Sequence, residues 1–198
     1  MDNGMANLCF DMVISRIEDL LSKNTRVTVA IDGMCGSGKS YLAGLIVKTL
    51  DCNVFHIDDY YLPVEMRTTE RLAQPGGHIY YERFKEEVLD SIRNNRPVLY
   101  RPYLCGVWEY GEPKTYEPKK LNIIEGSYSM HPCLRDAYSL TVFLEADPEE
   151  QLRRIAKRSG EENLAHFINR WIPLENKYFS ELGIKGLCDI VLDTTNLF

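Results

Sequence analysis

The sequence contains no cysteine pair at the spacing that metal sites or redox dithiols require. Its six cysteines are scattered over 198 residues, and no two of them form a CxxC pattern. We therefore predict neither a zinc site nor a redox dithiol. Scattered single thiols are typical of reduced proteins of the cytosol, so we expect a cytoplasmic location.

An excess of positive charge is also missing. The chain has 23 Lys and Arg against 29 Asp and Glu, which gives a net charge of −6. Nucleic-acid binding normally needs a clustered basic excess, so the charge balance argues against nucleic acid as a partner. A single nucleotide needs only a local pocket of hydrogen-bond donors, and the composition is compatible with that.

Long apolar runs are absent as well. No run approaches the length of a membrane span, and the acidic N-terminus lacks the basic-then-apolar layout of a signal peptide. We expect no membrane partner. The length and the 44% hydrophobic content fit one domain over residues 1–198, with residues 1–24 as a helix before the core. The sequence leaves a homo-oligomer open.

Apolar runs alternate with helical segments along the chain. Runs rich in β-branched residues predict strands at 26–32, 53–57, 97–100, 121–126, 140–146 and 189–194. Apolar residues at helical spacing predict helices at about 5–23, 41–50, 80–95 and 149–158, with a helical stretch to about 182. Residues 62–79 are typical of a surface excursion, and residues 102–118 fit either a hairpin or an ordered loop. The alternation predicts an α/β fold with a parallel sheet.

The segment GMCGSGKS, residues 33–40, matches the phosphate-loop (P-loop, Walker A) pattern GxxxxGK[ST] at every fixed position. Glycines let the backbone turn its N–H groups inward around a phosphate. Lys39 can reach the outer phosphates, and the Ser40 hydroxyl can ligate magnesium. The motif lies between a predicted strand and a predicted helix, which favours a functional loop over a chance match. The predicted nucleotide-binding residues are Gly33, Gly36, Ser37, Gly38, Lys39 and Ser40.

Carboxylates follow two of the predicted strands. Asp58 and Asp59 come at the end of the second strand, and Glu125 ends the strand at 121–126. Ligands of open α/β sheets bind outside the carboxyl ends of the strands, so these groups are candidates for accepting an alcohol proton and for completing a magnesium shell. A turn or cap residue is the alternative for the aspartates, and a plain strand-end charge is the alternative for Glu125. Spacing alone does not choose between Asp58 and Asp59.

Basic residues crowd the helix that follows Asp147. Arg154 and Arg158 are four residues apart and share one helical face. This pattern fits a solvated basic face balanced by nearby glutamates. It equally fits a lid that closes over a nucleotide and places guanidinium groups on the transferring phosphate.

Taken together, AIDGMCGSGKS, VFHIDDYYLP, PGGHIYYERF, IIEGSYSMHP and the arginine helix resemble the uridine kinase-like group of P-loop kinases, which includes relatives of phosphoribulokinase and bacterial pantothenate kinase. The resemblance covers residues 26–195. It implies a P-loop NTPase fold with a five-stranded parallel sheet flanked by helices and a lid, and it implies ATP and Mg²⁺ as cofactors. By this resemblance Asp58 is the catalytic base, Glu125 assists magnesium, and Arg154 and Arg158 are the lid arginines.

The region that should hold the acceptor departs from the family pattern. Nucleoside kinases of this group usually carry an aspartate for the ribose hydroxyls where this chain has Ile79, Tyr80 and Tyr81, and a Tyr-Asp pair where it has Tyr103 and Leu104. Asp58, Tyr80, Arg101 and Tyr103 are the predicted acceptor-binding residues. The alternative for the aromatic and arginine side chains is a loop stabilised by aromatic burial.

The resemblance implies an ATP-dependent phosphotransferase that transfers the γ-phosphoryl group to a hydroxyl of a small acceptor. The acceptor is expected to be a nucleoside or a nucleoside-like metabolite, with nicotinamide riboside, pantothenate and sugar acids as further candidates. The alternative is a nucleotide-binding NTPase or regulatory module that has no small-molecule acceptor.

Overall fold

A parallel sheet of five strands forms the centre of the molecule. The computed structural model describes residues 3–197, with side chains from residue 9 onward, so the first two residues of the predicted N-terminal helix and residue 198 lie outside it. The strand order is β2 (Cys52–His56), β7 (Leu121–Glu125), β1 (Val27–Gly33), β8 (Leu140–Glu145) and β9 (Ile190–Asp193). All four pairings are parallel, as the sequence predicted.

One face of the sheet is covered by the first two helices, α1 (Asn3–Lys23) and α2 (Lys39–Thr49). Side chains of both helices, such as Ile17 and Leu42, are fully buried against alternate residues of β1, such as Val29. This arrangement explains why the run at β1 is almost uniformly apolar, because a central parallel strand is buried on both faces.

The other face is covered by helices that contain π turns. Residues 81–93 form α4 (Tyr81–Phe84), a π turn (Lys85–Leu89) and α5 (Asp90–Arg93), close to the predicted helix at 80–95. Near the C-terminus, α7 (Glu161–His166), a second π turn (Phe167–Trp171) and α8 (Ile172–Glu181) follow one another. Phe84 and Tyr178 from these segments are fully buried with Phe55 of β2.

The arginine helix α6 (Pro148–Ser159) begins where the sequence provides a start signal. Asp147 caps it by accepting a hydrogen bond from the Glu149 backbone N–H at 2.9 Å, and Pro148 occupies the first turn. It ends at Gly160, whose φ of 84° separates α6 from α7. The shorter helix α3 (Thr69–Leu72) lies in the excursion at 62–79.

The segment at 102–118 is a hairpin, which resolves the alternative that the sequence left open. An outer pair, β3 (Val98–Tyr100) with β6 (Lys114–Tyr116), encloses an inner pair, β4 (Tyr103–Leu104) with β5 (Glu109–Tyr110), and both pairs are antiparallel. Within residues 3–197, none of the helices combines the length and the apolar character that crossing a bilayer demands.

Candidate nucleotide and acceptor site

The phosphate loop joins the end of β1 to the start of α2 and depends on glycine conformations. Gly33, Gly36 and Gly38 have φ values of 137°, 78° and 95°, which side-chain-bearing residues rarely adopt. At Gly33 space is also restricted, since a Cβ there would lie 2.0 Å from the Leu144 carbonyl oxygen of the neighbouring strand. The sequence motif therefore forms the turn that phosphate binding requires.

The Lys39 side chain is held over the phosphate loop by backbone carbonyl groups of the loop. Its Nζ donates hydrogen bonds to the carbonyl oxygens of Gly33 and Met34, at 2.8 and 2.9 Å, and to the Ser127 hydroxyl at 3.2 Å. Only 8% of the residue is exposed. The ammonium group is therefore positioned before any phosphate arrives, as expected for a residue that binds the outer phosphates.

Ser40, Glu125 and His56 form a chain of contacts at the carboxyl ends of the strands. The Ser40 hydroxyl donates to Glu125 Oε1 at 3.1 Å, and Glu125 Oε2 is 2.7 Å from His56 Nδ1. Burial acts to raise the pKa of Glu125, but the His56 hydrogen bond and the Lys39 charge outweigh it and lower that pKa. A hydroxyl next to an ionised carboxylate is a pair of oxygen ligands that fits Mg²⁺.

Asp58 and Asp59, which the sequence could not separate, point to different places. Asp58 lines the same cavity as the phosphate loop and lies close to Gly126, where an added Cβ would be 3.4 Å from Asp58 Oδ1. Asp59 instead accepts a hydrogen bond from the Tyr100 hydroxyl at 2.5 Å. Of the two, Asp58 is the one available to a ligand.

The surroundings of Asp58 favour a proton acceptor that titrates near neutral pH. The side chain is exposed to the cavity, and the atoms of the cavity wall lie around it. Desolvation by these surrounding atoms raises the pKa of Asp58 to about 7, with the Lys39 charge opposing the rise and Glu125 adding to it. A carboxyl group with a pKa close to the working pH is suited to general base chemistry.

Glu175 is a site residue that no sequence motif identifies. It is 6% exposed. Its carboxylate accepts hydrogen bonds from the Cys35 backbone N–H and from the Ser127 hydroxyl, both at 2.8 Å. The surrounding sequence, RWIPLENKYF at residues 170–179, contains no motif that predicts a contact with the phosphate loop. The contact results from the packing of α8 against that loop.

The two predicted lid arginines have different surroundings. The Arg154 guanidinium donates to the Gly36 carbonyl oxygen at 3.2 Å and to the Thr194 carbonyl oxygen at 2.6 Å, so it links the phosphate loop to the residue after β9. Its Nε also donates to Glu150 at 2.6 Å. Arg158 lies 5.6 Å from the ring of Phe167. Both arginines line the cavity, which a purely solvated basic face would not require.

A cavity of about 530 Å³ contains most of these groups. The phosphate loop and Ser40 form one part of its wall, together with Asp58, Glu125 and Glu175. A second part is aromatic, with side chains from the excursion, from the segment after β7 and from the π turn of the C-terminal helices. These aromatic residues are Tyr61, Tyr128, Phe167 and Trp171. The cavity volume is within the range of small-molecule sites.

Three predicted acceptor residues lie elsewhere. Tyr80 and Arg101 line a separate cavity of about 360 Å³. Tyr103 is buried, and its hydroxyl donates to the Trp108 carbonyl oxygen at 3.2 Å. The hairpin packs on α4, where Arg83 donates to the Arg101 carbonyl oxygen, and this keeps it away from the larger cavity. The structure thus supports the aromatic-burial alternative for Tyr103, and the acceptor role of all three residues stays a prediction.

Comparison with known proteins identifies the family and the fold. A family model described as an AAA domain matches residues 29–172, which is more than half of the chain and includes the phosphate loop. A possible uridine kinase from Bacillus stearothermophilus superposes with a TM-score of 0.70 at 20% identity, covering 93% of this chain and 97% of that one. A candidate fructose transport system kinase from Silicibacter sp. TM1040 also gives 0.70, at 17% identity and with 92% and 98% of the two chains covered.

A more distant structure is YFH7 of Saccharomyces cerevisiae, which is described as a candidate P-loop kinase with a circular permutation. It superposes with a TM-score of 0.57 at 11% identity, and the match covers 96% of this chain and 99% of that one. A search of curated proteins finds no significant match. At these identities the structural similarity establishes the fold, and the resemblance to the uridine kinase-like group is confirmed at that level. The chain belongs to the AAA domain family and has the fold of P-loop kinases.

Proposed function

We propose that this protein is an ATP-dependent kinase that transfers the γ-phosphoryl group to a hydroxyl of a nucleoside or a nucleoside-like metabolite. The observation that supports this most directly is Asp58, whose carboxyl group faces the cavity that contains the phosphate loop. A module that only binds nucleotide has no need of a proton acceptor in that cavity, and a module that hydrolyses nucleotide would release ADP without any acceptor.

Each group in the cavity has a role in this reaction. The loop N–H groups and Lys39 bind the phosphates, and Ser40 with Glu125 would hold magnesium. ATP supplies the phosphoryl group, and the metal ion neutralises its negative charge. Asp58 orients the acceptor hydroxyl and takes its proton. Arg158, with Arg154, stabilises negative charge on the group in transfer.

The cavity wall favours some acceptors over others. The cations of the wall, Lys39, Arg154 and Arg158, are assigned to the phosphates of ATP. The carboxyl groups of Asp58, Glu125 and Glu175 then disfavour acidic acceptors such as pantothenate or a sugar acid. Tyr61, Tyr128 and Trp171 offer aromatic faces on which a planar base can stack. A neutral or cationic acceptor with an aromatic ring fits both features, so nucleosides and nicotinamide riboside rank first. The similarity in fold to a possible uridine kinase supports the same class.

The decisive experiment measures ADP release with Mg-ATP across nucleosides, nicotinamide riboside, pantothenate and sugar acids. We expect stimulation by a nucleoside-like acceptor. Asp58→Asn should lower the stimulated rate by roughly 10²- to 10⁴-fold, the usual contribution of a general base. Asp59→Asn is the matched control, because its carboxylate contacts Tyr100 outside the cavity, and it should retain most activity.

The opposite result would support the alternative of a nucleotide-binding NTPase or regulatory module. In that case no acceptor stimulates ADP release, and the background rate is the same in the wild type and in Asp58→Asn. The catalytic role of Asp58 would then be wrong.

A further inference from the structure

Glu175 places a buried carboxylate directly on the phosphate loop. It accepts the Cys35 N–H with one oxygen and the Ser127 hydroxyl with the other, each at 2.8 Å. Ser127 in turn is 3.2 Å from Lys39 Nζ, so one hydroxyl group separates the carboxylate from the lysine. Glu175 therefore lies at the Lys39 end of the loop, where the outer phosphates of a nucleotide bind.

A carboxylate at this place competes with a phosphate in two ways. It occupies a backbone N–H of a loop whose N–H groups serve as anion donors. It also adds like charge to a cavity wall that already has Asp58 and Glu125, and like charges in a protein cleft repel strongly. The repulsion grows with phosphate charge near Lys39, so a triphosphate experiences more of it than a diphosphate.

The position of Glu175 in the chain connects this contact to the cavity wall. It lies on α8, four residues after Trp171 of the π turn. Phe167 and Trp171 of that turn both line the cavity. A movement of α8 that takes Glu175 away from Cys35 would therefore also move the segment that contains these two aromatic residues.

We propose that Glu175 is a positioning residue that holds the phosphate loop in the nucleotide-free state and is displaced by the terminal phosphate of ATP, but not by ADP. Release of Glu175 moves the segment at 161–181. Binding of a triphosphate thereby changes the aromatic part of the cavity wall, to which Phe167 and Trp171 of this segment belong. This rests on the nucleotide binding in the proposed function, and it is independent of the identity of the acceptor.

The test compares the affinity of the full chain for a non-hydrolysable ATP analogue and for ADP, both with magnesium, by titration calorimetry. Glu175→Gln removes the charge and can keep both contacts. Its carbonyl oxygen accepts from Cys35 N–H and its amide donates to Ser127, whose hydroxyl can then turn to donate to the Gly33 carbonyl oxygen, 2.9 Å away. We expect the variant to bind the ATP analogue about tenfold more tightly, with a change of less than about threefold for ADP. Glu181→Gln, an exposed carboxylate on the same helix, is the control and should change neither affinity.

A second measurement needs no variant. Hydrogen exchange of the wild type should change in residues 161–181 with the ATP analogue and not with ADP. Equal shifts of both affinities in Glu175→Gln, or the same exchange pattern with both nucleotides, would overturn the role of Glu175 and leave the proposed kinase function intact. A wild type that binds neither nucleotide would overturn both.

Discussion

The most informative stability measurement concerns Asp32, a buried carboxyl group at the end of β1 that the sequence did not single out. It is fully buried and accepts hydrogen bonds from the backbone N–H groups of Gly33, Tyr128 and Met130 and from the Tyr178 hydroxyl, the last at 2.8 Å. Burial nevertheless raises the pKa of Asp32 from 3.8 to about 6, while the hydrogen bonds oppose the rise. At neutral pH, where Asp32 is ionised, the rise in its pKa from 3.8 to about 6 lowers the free energy of unfolding by about 3 kcal/mol.

The sign of the pH dependence follows from this pKa. The folded protein binds the Asp32 proton more tightly than the unfolded chain, so its contribution to stability falls as the pH rises from about 4 to about 6, and it is constant above that. Tyr178→Phe removes the donor that stabilises the charged form. The pKa of Asp32 should then rise further, and the substitution should destabilise the fold more at high pH than at low pH.

The expected loss of stability depends on whether the Tyr178 hydroxyl donates to a charged or to a protonated Asp32. At pH 8, where Asp32 is charged, Tyr178→Phe should lower the free energy of unfolding by about 1.5–3 kcal/mol, and at pH 5, where it is mostly protonated, by about 1 kcal/mol. Urea denaturation at both pH values measures this. Tyr138→Phe is the control, because its hydroxyl donates to the neutral Ser129 carbonyl oxygen at 2.7 Å and its loss should not depend on pH. Equal destabilisation by Tyr178→Phe at both pH values would refute the argument.

Three further predictions address the reaction, the phosphate loop and helix α2. The acceptor-dependent kcat/KM should rise with pH and level off above about 7, because Asp58 is active as a base only when deprotonated; a profile that is flat from pH 5 to 8 would exclude it as the base. Gly33→Ala should abolish nucleotide binding or folding, because its Cβ would lie 2.0 Å from the Leu144 carbonyl oxygen. Gly44→Ala should stabilise α2 by about 0.5–1 kcal/mol, because an added Cβ there has no neighbour within 4 Å. Unfolding midpoints and nucleotide titrations of the two variants check both expectations.

The sheet and the phosphate loop could be predicted because their signals are local. A central parallel strand is buried on both faces, and β1, β7 and β8 are mostly apolar for that reason. The glycines of the loop are needed by its backbone conformation, so the motif alone identifies it. The carboxyl ends of parallel strands share one edge, and this brings Glu125 to Ser40 without any further information.

The acceptor side could not be predicted in the same way, because it depends on how segments distant in sequence pack. Tyr80 and Arg101 line a separate cavity, in the region where Arg83 of α4 donates to the Arg101 carbonyl oxygen. Glu175 is 140 positions from Cys35 and nonetheless accepts its N–H. Contacts of this kind have no periodicity or motif that would reveal them in the sequence.

Substitutions have different effects in the two parts of the cavity. The phosphate end is fixed by backbone geometry, where a substitution such as one at Gly33 meets main-chain atoms that cannot move aside. The aromatic part of the cavity wall, where we propose that the acceptor binds, is formed by side chains of three separate segments, represented by Tyr61, Tyr128 and Trp171. Substitutions there change the wall without disturbing the loop, so chains that share this phosphate site can differ in their acceptor. The acceptor must therefore be determined by experiment on this cavity, and the charge and aromatic character of its wall give the order in which candidates should be tried.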